Sequence, residues 1–239
     1  DSETVLKGLS LYGIDFIKKL RGPFAIFFLD EINKKAYLVR DRVGQKPLYY
    51  YNDNKTLIFS SSLFPLLSLN KSFKVNEIEI YNYLNYGVIN SPETMFENFY
   101  KVSPSEIIEF SFSDNKINRK KTKYWDPKDF ISNERFDREE FFEIFSESIS
   151  LRSNADVPVA NFLSGGLDST SITKNLYDNG ININSFSIYI DNEQYDESHY
   201  IKQVVSKYNT EHRASTISSN LTYEDINESI ESLDEPYSD

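Results

Sequence analysis

The chain has 239 residues, 39% hydrophobic and 26% charged, enough for one large domain or two modest ones, either with a real core. Its formal charge of -11 argues against nucleic acid or an anionic membrane as main partner, because phosphate-rich surfaces are met by clustered Lys and Arg. With no cysteine, disulfides, thiolate metal sites and a cysteine nucleophile are excluded within this stretch; no apolar segment approaches the roughly 20 residues of a membrane span, no signal peptide opens the chain, and a reducing cytoplasm is the default expectation.

Residues Asp1 to Gly13 read as a helix, with Val5, Leu6 and Leu9 on one side and Gly13 as a stop. A short second helix, Ile14 to Leu20, ends before Gly22. The period then changes. "FAIFFL" (24–29), "AYLVR" (36–40), "LYYY" (48–51) and "TLIFSSS" (56–62) are short, aromatic and β-branched, separated by Asn33, Gly44, Pro47 and Asn54, the pattern of successive antiparallel strands. The 17 Tyr and 18 Phe imply that flat rings fill much of the core. "NEIEIYNYLNYG" (76–87) is helical again, with Asn76 and Glu79 at capping-box spacing and Gly87 at the close. "SEIIEFSF" (105–112) and "KINRKKTKYW" (116–125) form a hairpin, and the basic run "RKKTK" (119–123) is read as a solvated loop. Around the end of "AYLVR", Arg40, Asp41 and Arg42 are expected to form an internal ion-pair network.

The polar segment 126–136 reads as a linker between a first domain (1–125) and a second (137–239). In the second, a helix ("REEFFEIFSESISLRS") precedes a buried strand, Val157 to Phe162. A helix from Ser169 to Tyr177, a strand from Ser185 to Ile190, a helix from Glu197 to Tyr208 and a strand near Ala214 to Ile217 follow. Strands alternating with helices imply βαβ units and a parallel sheet.

Between the first of these strands and its helix stands "LSGGLDS" (163–169). A parallel strand feeding a helix through a tight turn puts free N–H groups and a helix dipole at the carboxyl end of the sheet, where an anion is favoured. Gly165 and Gly166 suit backbone angles closed to other residues and let a phosphate approach the main chain. Ser164 and Ser169 can add hydroxyl donors. Asp168 would repel a bare phosphate, and makes sense if it holds a Mg²⁺ that bridges phosphates. The pattern is neither a Walker loop nor G-x-G-x-x-G. On geometry alone, a plain helix start with close packing explains the same residues equally well.

"LSGGLDS" resembles the pyrophosphate-binding loop of the N-type ATP pyrophosphatases. "RSNADVPVANFLSGGLDSTSI", "SFSIYI", "YDESHYIKQVVSKYNTEH" and "DEPYSD" are similar, in order and spacing, to glutamine-hydrolysing asparagine synthetases. In the first domain "DSETVL", "LRGPFAIFFLD", "RDRVGQKPLYY" and "LIFSSSLFPLL" resemble the second half of that family's class II glutaminase. The resemblance implies a partial Ntn-type glutaminase sandwich of antiparallel sheets with helices, followed by a partial parallel-sheet ATP pyrophosphatase domain, a two-domain α/β and α+β chain. It implies glutamine, aspartate and ATP as substrates and Mg²⁺ as cofactor, and it leaves room for a homodimer. In the family, ammonia from glutamine reaches an acyl-adenylate of the acceptor through an internal tunnel.

Carried over by residue, the resemblance assigns the pyrophosphate end of ATP to Ser164, Gly165, Gly166, Asp168 and Ser169, with Asp168 as Mg²⁺ ligand. It assigns adenosine contacts to Leu163 and Ile188, and the α-amino group of glutamine to Asp1. Tyr195, Asp196 and Glu197 match the family's "YDE", although Asp196 is also a good N-cap. His212 is read as a surface or structural histidine, and 234–239 as a border of the acceptor site. Ser62 stands where relatives carry Glu. The chain reads as an internal fragment: the cysteine nucleophile and the acidic glycine loop that completes the ATP site are missing, so no catalytic residue is expected in it. Relatives that amidate sugar carboxylates, close β-lactam rings or cyclise lasso peptides are alternatives, as is a non-catalytic nucleotide-binding scaffold.

Overall fold

The computed structural model describes the whole chain except residues 54, 70–72, 114–115, 134, 193, 219–221 and 237–239. It divides into two compact units, Asp1–Ser132 with Asn227–Asp239, and Asn133–Ile226. Residues 227–236 thus group by contact with the first unit. The physical reason is a set of polar contacts made by Asp234 and Glu235, described below.

Unit 1 opens with α1 (Ser2–Tyr12), closed by Gly13 at φ +67°, whose N–H returns to the carbonyl of Leu9. The second helix, Ile14–Lys19, is a tight 3₁₀ segment that buries Ile17 completely, the form short helical pieces tend to take. Four antiparallel strands then make one sheet in the order β1-β2-β6-β7: β1 (Ala25–Asp30), β2 (Lys35–Arg40), β6 (Glu106–Ser113) and β7 (Lys116–Lys123). A second sheet has the order β4-β3-β5, with β3 (Tyr49–Asn52), β4 (Leu57–Ser60) and β5 (Phe99–Lys101).

Because side chains alternate across a strand, β2 serves two cores. Ala36 and Leu38 pack with Tyr50, Ile108 and Phe110 between the sheets. Tyr37 and Val39 point the other way, onto Leu9 of α1 and Ile17. The outer face of the second sheet is covered by α2 (Leu63–Leu69), where Leu63 and Leu66 meet Tyr49 and Phe99. The result is helix, sheet, sheet, helix, with each fully buried Leu, Ile or Phe contributing about 1.5–3 kcal/mol. The basic run 119–123 is not a loop. It lies in β7, paired with β6 as an exposed edge strand, where Lys and Arg discourage further pairing.

The capping box expected at Asn76 does not form. Asn76 makes no side-chain cap; its main-chain N–H donates instead to Met95 at 2.7 Å, and Glu79 is buried with Asn82 donating to it. The helix, α3 (Glu77–Tyr86), does end at Gly87, at φ +70°. Nor do the described residues form an ion-pair network at the end of β2. Arg40 donates to the carbonyls of Lys46, Val102 and Gly44, all at 2.7–2.9 Å. Asp41, only 1% exposed, accepts from the N–H groups of Phe24, Val43, Gln45 and Lys46. Main-chain groups of the 41–46 turn outcompete the neighbouring charges because they are fixed in place by the turn itself.

In unit 2, Asp137 accepts from the N–H groups of Glu139 and Glu140 and so starts α4 (Arg138–Ser153). A three-stranded parallel sheet follows, in the order β10-β9-β8: β8 (Ala160–Phe162), β9 (Asn184–Asp191) and β10 (Glu211–Ser218). Its crossovers are α5 (Leu167–Asp178) and α6 (Ser198–Tyr208). Asn161, Ser185 and Ser187 face the helices: Asn161 donates to Thr173 of α5 at 2.9 Å, and Ser185 is fully buried. The opposite face carries Phe162, Phe186, Ile188 and Ile190, all exposed. The strand expected to be buried over 157–162 is therefore only three residues long and exposed, because it sits at the sheet edge with no helix over its outer face among the described residues. The last helix, α7 (Tyr223–Ser232), leads back to unit 1.

Burial opposes ionisation of Asp41, but its N–H donors prevail and hold the carboxyl below its ordinary value. A group depressed in this way stabilises the fold above its unfolded pKa and loses that contribution as pH falls. We expect Asp41→Asn to lower the unfolding free energy at pH 7 by roughly 2–3 kcal/mol, measured by denaturant titration. The gap from the unsubstituted protein should narrow as pH falls below about 4.

Candidate functional site

The site grows from the end of β8. Leu163 extends the pairing by one residue, its N–H donating to Phe186 at 2.8 Å, while its own carbonyl accepts from the Ser187 hydroxyl. Its side chain is 2% exposed and packs with Ile201 and Val204 of α6. Leu163 is thus the root of the loop, with both polar main-chain groups already engaged and its side chain in the core.

The two glycines stand there for different reasons. Gly165 has φ +80°, and a Cβ there would sit 3.0 Å from Tyr200 Cβ and 3.3 Å from the Ile201 nitrogen. The loop passes against the first turn of α6 as only a glycine allows. Gly166, at φ −69°, holds backbone angles open to any residue, contrary to the expectation that both glycines need special angles. Its role is space: a Cβ would meet the Ser164 hydroxyl at 3.3 Å.

Ser164 and Ser169 brace the turn. Their hydroxyls are 3.2 Å apart; the Gly166 N–H donates to Ser164 Oγ, and Ser169 Oγ donates to the Gly166 carbonyl. Gly166 is the N-cap of α5 and has no side chain to cap with. The first intrahelical bond is Thr170 N–H to Gly166 O. The N–H groups of Leu167, Asp168 and Ser169 consequently have no acceptor among the described residues. Free donors at the positive end of a helix dipole make an anion cradle. The helix begins two residues earlier than the sequence indicates, which places Asp168 inside its first turn, exposed and without an ion pair among the described residues.

Ile188 lies on the open face of β9, 60% exposed, two residues beyond Phe186, which pairs in register with Phe162. Phe162 is 82% exposed and immediately precedes the loop. These two rings are the residues that sequence reasoning passes over. Their signal was the alternation of Phe186, Ile188 and Ile190 with Ser185, Ser187 and Tyr189, which marks a strand with two unlike faces. Asp1 belongs to unit 1. It is the exposed N-cap residue of α1, and its carboxylate makes no cap bond.

Asp196 accepts from both the N–H and the hydroxyl of Ser198 at 2.9 Å, which lowers its pKa and starts α6. His212 is structural: Nδ1 meets Ser185 at 2.9 Å and Nε2 meets Tyr189 at 3.3 Å, and burial lowers its pKa. Of the segment 234–239, residues Tyr237 to Asp239 lie outside the described residues, and Asp234 and Glu235 are engaged in unit 1. No group of three or more His, Asp or Glu among the described residues could hold a metal by itself. Mg²⁺, however, commonly takes one or two carboxylates, with phosphate oxygens and water supplying the rest. The single free carboxylate of Asp168 beside an anion cradle fits that donor set. No helix among the described residues is long and apolar enough to cross a membrane.

A layered antiparallel unit is followed by a parallel-sheet unit whose first strand feeds its helix through a phosphate-type loop, and the matches of each part agree with a two-domain chain. Residues 1–125 match the glutamine amidotransferase domain family, and residues 140–239 match the asparagine synthase family. The chain is 32% identical over 219 residues to a Methanocaldococcus jannaschii protein provisionally named asparagine synthetase [glutamine-hydrolyzing] 2, covering 89% of this chain and 42% of that protein. It is 25% identical over 240 residues to asparagine synthetase [glutamine-hydrolyzing] 1 of Bacillus subtilis, covering 100% of this chain and 38% of the relative. Amidase chry2 of Gibberella zeae is 33% identical over 180 residues, 72% of this chain and 26% of its own length. The chain belongs to the glutamine-hydrolysing asparagine synthetase family of glutamine amidotransferases and ATP-dependent ligases. It spans about two fifths of the length of the two synthetase relatives.

Because Gly165 combines a left-handed backbone with close contact to α6, we expect Gly165→Ala to destabilise unit 2 by roughly 1–2 kcal/mol. Hydrogen exchange should speed up in α5 and α6 while β2 and β6 of unit 1 keep their protection.

Proposed function

We propose that this chain is part of an enzyme that transfers the amide nitrogen of glutamine to a carboxylate after ATP activates that carboxylate as an acyl-adenylate. In this reading 1–125 is the later part of the glutaminase domain, 126–136 the linker, and 137–239 the first part of the ATP pyrophosphatase domain. The observation that carries it is the cradle at the start of α5: unbonded N–H groups, a glycine turn braced by Ser164 and Ser169, and a free Asp168 carboxylate.

The acceptor carboxylate attacks the α-phosphorus of ATP, forming the acyl-adenylate and releasing pyrophosphate. Ammonia released from glutamine then attacks the acyl carbon, AMP departs, and an amide remains. The N–H groups of Leu167, Asp168 and Ser169 stabilise charge on the departing pyrophosphate, the kind of fixed donor that needs no reorganisation during reaction. Asp168 would hold Mg²⁺, which when bound would neutralise phosphate charge. Gly165 and Gly166 let the phosphates approach the main chain. Ile188, with Phe162 and Phe186, offers the adenine an apolar surface, while Leu163 fixes the loop from beneath. Asp1 holds the α-amino group of glutamine. Aspartate is the proposed acceptor, giving asparagine.

In the whole protein, Asp168→Asn is expected to abolish aspartate-dependent ATP–pyrophosphate exchange with unchanged helix content. Wild-type exchange in that variant would remove Asp168 from the chemistry. A second reading, a different acceptor carboxylate, is favoured by the likeness to two proteins named amidases, from Gibberella zeae and Penicillium rubens. The same assay with a panel of carboxylates discriminates: exchange stimulated by aspartate supports asparagine formation, and exchange stimulated only by another carboxylate supports the second reading.

A further inference from the structure

The acids Asp234 and Glu235, which the resemblance sets at a border of the acceptor site, also make some of the longest-range polar contacts in unit 1. Asp234 Oδ1 accepts from the Ser62 hydroxyl at 2.6 Å and from the N–H groups of Leu63 and Phe64 at 2.8 and 3.3 Å, across 172, 171 and 170 residues of chain. Glu235 pairs with Lys101 Nζ at 2.7 Å, the two side chains being 13% and 12% exposed. Lys101 also donates to the carbonyl of Ile89 at 2.7 Å. Exposed ion pairs hold little. A pair this buried behaves differently, because removing one partner strands the other charge away from water.

We propose that Asp234 and Glu235 form a latch that fastens the segment after α7 to the rest of unit 1, with Ser62 and Lys101 as its two catches. One catch completes the first turn of α2, which has no acidic residue of its own there. The other ties β5 and the Ile89 segment to the same two consecutive acids. The chain thus leaves unit 1 after Ser132 and rejoins it at Asn227. Ser62 is the residue that makes this arrangement permissible. Its hydroxyl donates to Asp234, whereas a glutamate there would bring a second carboxylate against the first and repel it.

The test is hydrogen exchange with mass-spectrometric readout on the protein and two variants, Ser62→Glu and Lys101→Met, each removing one catch while leaving both acids in place. The latch predicts that in both variants residues 223–236 exchange roughly tenfold to a hundredfold faster. Ser62→Glu should also speed exchange in α2, and strands β2 and β6 should stay protected in each case. Unchanged exchange over 223–236 in either variant would overturn the latch. An equal rise in β2 and β6 would overturn it too, since the contacts would then belong to the general stability of unit 1.

Discussion

Where β8 gives way to α5, the main chain passes so close to α6 that one added carbon atom would be crowded, and the candidate site depends on that approach. Gly165 lies against Tyr200 and the Ile201 nitrogen. The contact lets α6 settle over the sheet, so that Ile201 and Val204 enclose Leu163. With Leu163 fixed beneath, the hydroxyls of Ser164 and Ser169 meet across the turn and Gly166 leaves the helix uncapped. The open donors are therefore a product of packing between a loop and a neighbouring helix. Asp196 has a share in this as well, since by starting α6 it fixes the surface against which Gly165 is pressed.

Unit 1 solves a different problem, the stacking of two short sheets. Its rings serve both faces of the second sheet: Tyr50 meets Phe110 of the first sheet edge-on at 5.9 Å, and on the face toward α2 Tyr51 meets Phe99 at 5.2 Å. At the end of β2, Arg40 and Asp41 divide the main chain between them, the cation taking carbonyls and the anion taking N–H groups. That division converts an irregular turn between the two sheets into a fixed one. Such a turn sets how Tyr49 and Tyr50, a few residues later, enter the second sheet.

The features legible in the sequence were those with local signals. Gly13 and Gly87 ended helices, and the hairpin of β6 and β7 followed from alternation on either side of a short turn. The glycine pair and the acid after it marked the candidate site, although only Gly165 proved to need its unusual backbone. What stayed hidden was short or non-local. The seven residues of α2 contain Pro65 and too few turns to show a period, and β5 has three residues. Asn76 and Glu79 had the right spacing for a capping box, but Met95, distant in sequence, took the N–H that mattered. Phe162 looked like core because hydrophobicity alone does not say which face of a sheet lacks a cover. Asp234 gave no hint of its destination, since nothing near it in sequence resembles Ser62 or Lys101.

The discontinuity of unit 1 has a bearing on how the chain is made. A ribosome delivers the protein from its first residue onward, and domains tend to fold in that order. The sheets of unit 1 have all their strands once Lys123 has emerged. Ser62 nevertheless waits for a carboxylate 172 residues later, and the whole of unit 2 is synthesised in the interval. Closing so long a loop costs little more than closing one half its length, because the entropy grows only with the logarithm of the span. The delay is thus one of timing more than of energy, and the first turn of α2 is among the last parts of unit 1 to reach its final state on a growing chain.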